Sequence, residues 1–84
     1  MDVAIESDRG LYLFRPETPR GREWLKANVP EDAGRWQPGG WLVEGAAPAQ
    51  ALAARLAKAG LEVAEAPKYY LQRRRQTDDG EWLQ

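Results

Sequence analysis

Eighty-four residues, at roughly 100 to 200 per domain, are enough for one small domain and exclude separate cofactor and substrate domains. The composition, 43% hydrophobic, 30% charged and 10% aromatic, is that of a folded chain, and a mean hydropathy of -0.69 points to some polar stretch. With no Cys and no His, the chain cannot build a thiolate or imidazole metal site, a Cys nucleophile, a disulfide or the usual serine-hydrolase triad.

Charge is unevenly distributed about its net value of -1. Residues 1–65 hold ten acids and eight bases, residues 66–76 hold Lys68, Arg73, Arg74 and Arg75 with no acid, and residues 77–84 return Asp78, Asp79 and Glu81. A near-neutral body with one basic run lacks the broad positive face of a strong nucleic-acid binder. A chain this short buries only roughly 60% of its unfolded surface, so nearly every large apolar side chain is needed in the core. Four tryptophans are therefore the unusual feature of the composition.

The elements follow in chain order. Val3 and Ile5 alternate with Ala4 and Glu6, Ser7-Asp8-Arg9-Gly10 has the chemistry of a tight turn, and Leu11-Tyr12-Leu13-Phe14-Arg15 is the return strand. Both faces of that strand are apolar, which predicts a central position, and Pro16 ends its ladder. Thr18-Pro19 is a helix start, and the helix runs to about Ala27, with Trp24 and Leu25 supplying its burial. Asn28 is suited to a left-handed cap before Pro30. Arg35-Trp36-Gln37 and Trp41 to Glu44 flank Pro38-Gly39 as a second hairpin that sets Trp36 opposite Trp41. Pro48 reads as the first position of a second helix over Ala49–Ala59, Gly60-Leu61 as its Schellman cap, and 61–65 as a strand. Beyond Pro67 two readings stay open. Residues 66–84 form either a closing hairpin through Asp79-Gly80 or a mobile basic tail.

The order from residue 11 to 65 is β-α-β-β-α-β, the ferredoxin-like split βαβ pattern of the α+β class. The expectation is one domain over residues 1–84: a compact unit at about 11–65, an extra N-terminal strand, and an antiparallel sheet with both helices on one face.

The string Leu11-Tyr12-Leu13-Phe14-Arg15-Pro16-Glu17-Thr18-Pro19, with Gly21-Arg22-Glu23-Trp24-Leu25, Asn28-Val29, Trp36, Gly39-Gly40 and Leu42-Val43-Glu44, resembles a family of small uncharacterised proteins of proteobacteria and their prophages. The resemblance covers about residues 11–65, departs at Gly45-Ala46-Ala47, where bulkier residues are expected, and transfers no activity. What it implies is a mobile-element context, in which short chains without catalytic residues act as inhibitors or adaptors of host proteins.

Tyr12, Phe14, Trp36 and Trp41 are placed on the helix-free face of two adjacent central strands, where they form either a second small core covered by the C-terminal segment with Tyr69, Tyr70 and Trp82, a protein-binding patch, or a base-stacking platform. Arg73, Arg74 and Arg75 either contact phosphates or an acidic partner, or keep a strand edge solvated and unpaired. The thirteen carboxylates sit in no context that implies burial, Ser7 has no plausible base, and Gly39-Gly40 lacks the Lys and the helix of a phosphate loop. The sequence is therefore read as a non-enzymatic interaction module without metal or cofactor, an inhibitor or adaptor that binds a protein through Tyr12, Phe14, Trp36, Trp41 and Trp82. The alternatives are a weak RNA or single-stranded nucleic-acid binder using the aromatic face and Arg73–Arg75, and a structural homo-oligomer such as a homodimer. No apolar run is long enough for a membrane span and Met1-Asp2 opens no signal segment, so the expected location is the cytoplasm.

Overall fold

The computed structural model describes residues 1–66. Strands β1 (Val3–Asp8) and β2 (Leu11–Pro16) form the predicted hairpin, in register from Val3 opposite Pro16 to Asp8 opposite Leu11. Only Arg9 and Gly10 lie between them, at φ 56° and 82°. Two consecutive positive φ values make the mirror-image turn whose twist matches that of the flanking strands.

Helix α1 (Pro19–Asn28) begins as the sequence predicts, with Thr18 Oγ1 accepting the Gly21 amide at 3.0 Å and Pro19 at the first helical position. Its end differs from the expectation. Asn28 stays helical, its Nδ2 donating to the Trp24 carbonyl at 2.9 Å, and the chain leaves the helix at Val29, which precedes Pro30 and is extended at φ -81°. The proline ring disfavours helical geometry in the residue before it, so no left-handed cap is needed.

A 3₁₀ turn over Glu31–Ala33 leads to β3 (Arg35–Gln37), the two-residue turn Pro38-Gly39, and β4 (Gly40–Glu44). Trp36 stands opposite Trp41, as predicted. Helix α2 (Ala46–Lys58) starts two residues before Pro48. Amides of the first turn have no intrahelical acceptor, so a proline there removes no hydrogen bond. At the other end the Leu61 amide donates to the Leu56 carbonyl at 3.1 Å and the Gly60 amide to that of Ala57 at 3.0 Å, the pair of bonds of a Schellman cap. Because Leu61 is used in the cap, β5 begins later than predicted and spans Val63–Ala66.

The five strands form one sheet in the order β3-β4-β2-β1-β5, with β2 central. Omitting β1 leaves the strand order of the ferredoxin-like pattern. The N-terminal strand is wedged between β2 and β5, so β5 pairs parallel to β1 while every other pair is antiparallel. The sheet is thus mixed, and the α2 crossover from β4 to β5 spans two intervening strands.

Val3, Ile5, Phe14, Trp41 and Val43 of the sheet share one core with Leu25 of α1 and Ala49, Leu52 and Leu56 of α2. These sheet residues all belong to one alternation set, so both helices cover the same face. Gly21 permits the close seating of α1. A Cβ there would collide with the Asp2 carbonyl oxygen and come within 3.2 Å of Val3 Cγ2.

Candidate functional site

Residues paired across adjacent strands share a face, so Ile5, Phe14, Trp41 and Trp36 form one row across the sheet. That row faces the helices, which corrects the expected placement of Tyr12, Phe14, Trp36 and Trp41 on the helix-free face. Phe14 (0% exposed) and Trp41 (2%) are core residues rather than a contact surface, and Tyr12 packs half-buried against them. Strand alternation sorts side chains into two sets, and only the packing of the helices decides which set is covered. Trp36 is different. It ends the row on edge strand β3 and is 46% exposed, with its ring edge-to-face on Trp41 at 5.2 Å and 69°.

The helix-free face carries Leu11, Leu13, Leu42, Arg15 and Glu44, of which Leu11 is exposed and Leu13, Leu42 and Arg15 are half-buried. Among the described residues it therefore presents a small leucine patch bordered by charge, with no aromatic ring. Of the expected contact residues, Trp82, Arg73, Arg74 and Arg75 lie outside the described residues, as does the predicted C-terminal hairpin or tail.

Asp2 holds a junction that residue-by-residue reading misses. Its Oδ1 accepts the Thr18 hydroxyl at 2.8 Å and its Oδ2 accepts the Glu62 amide at 2.8 Å, while its own amide donates to the Glu62 carbonyl at 2.7 Å and its carbonyl accepts the Glu17 amide at 2.8 Å. One residue thereby ties the start of β1 to the cap of α1 and the approach to β5. The hydrogen bond from the Glu62 amide, then that from Thr18, holds the Asp2 carboxyl below its ordinary pKa. Its partners lie 16 and 60 residues away, so no local motif announces it.

Charge is segregated between the layers. The two helices carry Arg20, Arg22, Lys26, Arg55 and Lys58 against one acid, Glu23, a net of +4, whereas the other described residues carry three bases and nine acids, a net of -6. Two helix cations are held by backbone carbonyls: Arg20 Nη2 donates to Gly60, and Arg55 Nη2 donates to Asn28 at 3.1 Å while its guanidinium lies 5.4 Å from the centre of the Trp24 ring. Two clefts flank this pair. An apolar one of about 170 Å³ has Pro30, Trp41, Pro48, Leu52 and Arg55 in its walls, and an open one of about 580 Å³ lies between α1 and the C-terminal end of α2.

Among the described residues no three His, Cys, Asp or Glu side chains gather closely enough to hold a metal ion, and no helix is long and apolar enough to cross a membrane. No family profile matches the chain, and neither a curated protein nor a solved structure shows detectable similarity to it.

Proposed function

We propose that this chain is a small non-enzymatic interaction module, an inhibitor or adaptor of the mobile-element type that acts in the cytoplasm on a protein partner. The observation that carries the reading is Trp36, a large ring 46% exposed on an edge strand whose outer side pairs with no described strand. An unpaired edge offers backbone donors and acceptors to an incoming strand, and tryptophan is enriched among residues that dominate binding energy. Strand β3 is only three residues long, so backbone pairing supplies register and the indole supplies most of the buried area.

A nucleic-acid reading finds less support, because the aromatic sheet face it requires lies under the helices. A photo-reactive phenylalanine analogue in place of Trp36, incorporated in cells, tests the proposal. The expected result is one discrete adduct with another protein, identified by mass spectrometry and absent when the analogue replaces Glu6 of β1. An adduct made only of two copies of the chain supports the homo-oligomer instead, and the lack of any adduct refutes both.

A further inference from the structure

We infer that the helix-free face of the sheet is a docking surface for the chain's own C-terminal residues 67–84. Both helices pack on the opposite face, yet Ala4 on this one is 0% exposed and Arg15 Nε is buried without a hydrogen-bond partner. The neighbouring strands supply no cover for Ala4. Ala64, its partner on β5, is small and itself exposed, and Arg15 on β2 leans away toward Gly39, where an added Cβ would lie 3.3 Å from Arg15 Nη1. A buried guanidinium nitrogen without an acceptor costs free energy, so the occupant of this face has to bring acceptors as well as apolar area for Leu13 and Leu42.

Residues 67–84 have the reach and the chemistry. Strand β5 ends at Ala66 opposite Glu6, in the same sheet and two strands from Leu13. The crossing from β5 to β4 is about 14 Å at about 4.8 Å per strand, whereas eighteen residues extend to about 60 Å. Tyr69, Tyr70, Leu71, Trp82 and Leu83 provide the apolar side chains that the leucine patch lacks.

The order of charges along the segment matches the face. Parallel pairing with β1 sends the chain out of β5 toward the end of the sheet where Asp8, Leu11 and Glu44 form a row, and Arg15 lies at the opposite end. Between them Glu6 and Arg35 stand near opposite edges and offset each other. The segment carries Lys68 and Arg73–Arg75 first and Asp78, Asp79 and Glu81 last, so a path that leaves at the acidic end and returns brings the acids to Arg15. No described carboxylate pairs with Arg15. Tethering gives the segment an effective concentration on the order of millimolar at this face, which a separate protein has to exceed. The inference does not depend on Trp36, which lies on edge strand β3.

The test uses the purified full chain at low concentration with a photo-reactive phenylalanine analogue in place of Trp82, sixteen residues beyond the end of β5. The expected product has the mass of one chain, with the adduct mapped by mass spectrometry to Ala4, Leu13, Arg15 or Leu42. A second readout is the methyl spectrum of the unmodified chain. The helix-free face has no ring among the described residues, so upfield ring-current shifts of the Leu13 and Leu42 methyl signals report aromatic side chains laid over them. These shifts should be lost in the variant Tyr69→Ser, Tyr70→Ser, Trp82→Ser while the far-ultraviolet circular dichroism keeps its helical bands. An adduct on α1 or α2, an adduct with the mass of two chains, no adduct, or methyl signals that the triple variant leaves in place overturns the inference.

Discussion

Trp36 and Trp41 face each other across a two-residue turn, yet their truncation should have different consequences. Trp41 is 2% exposed in the core, and Trp→Ala at such a site costs about 3–5 kcal/mol from lost transfer energy and the cavity left behind. At roughly 0.05–0.15 kcal/mol per residue, a chain of this length has a total stability of about 4–13 kcal/mol, so Trp41→Ala removes a large part of it. Trp36 is 46% exposed. A tryptophan buries about 150–250 Å² when covered, so about 100 Å² is at stake, or about 2.5 kcal/mol at about 25 cal/mol/Å², reduced to about 1.5–2 because the unfolded chain already covers some of it. Urea unfolding followed by circular dichroism on the two single variants and the double variant measures both costs. The double variant should be more stable than the sum of the singles implies by about 0.5–1.5 kcal/mol, the worth of the edge-to-face contact that each single already removes. Equal costs for the two singles would refute the burial asymmetry on which the separation of core from contact surface rests, and additive costs would refute the edge-to-face contact. With the photo-reactive analogue placed at the neighbouring Arg35 instead, Trp36→Ala should also abolish partner adduct formation in a chain that still folds.

Three further outcomes follow from the geometry. Gly21→Ala, which in an ordinary helix interior stabilises by about 1 kcal/mol, should instead destabilise by about 1–3 kcal/mol, because its Cβ collides with the backbone of Asp2; thermal unfolding checks the sign. Arg9→Asn should stabilise by about 0.5–1 kcal/mol, since Asn tolerates the φ of 56° that the hairpin turn requires, and a lower denaturant midpoint would contradict this. Asp2→Asn should lower stability at neutral pH, because the carboxylate accepts hydrogen bonds from Thr18 and Glu62 that an amide group only partly replaces. The folded pKa of Asp2 lies below its ordinary 3.8, so the wild-type advantage is complete above that value and is lost as pH falls through the folded pKa. An advantage that persists undiminished in strong acid would show that the charge of Asp2 is not what holds the junction.

Most elements are legible in the sequence because their causes are local. Thr18-Pro19, Pro38-Gly39 and Gly60-Leu61 carry their own backbone geometry, and the alternation over 3–6 and 11–15 marks strands without reference to anything distant. The α+β class and the ferredoxin-like order follow from the succession of those elements. Local rules also misplace three boundaries: Asn28 stays helical because Val29 before Pro30 ends the helix, Pro48 is compatible with several positions in a first turn, and Leu61 is claimed by the helix cap before the strand can use it.

The tertiary structure alone decides three things. Alternation separates Tyr12 and Phe14 from Leu11 and Leu13, but which set is covered depends on the side that both crossovers take, a property of the whole chain. The position of β1 between β2 and β5 depends on pairing across some sixty residues, held by Asp2, Thr18 and Glu62, and no neighbour in sequence reports it. The third is the fate of the tryptophans: the sequence assigns Trp24 to helix burial and Trp36, Trp41 and Trp82 to a contact face, whereas in the fold Trp41 is core, Trp24 is also the wall of a cleft, and Trp36 is exposed at an edge. Charge behaves in the same way, since the net of -2 over residues 1–66 divides into +4 on the helices and -6 on the rest only once the elements are assigned.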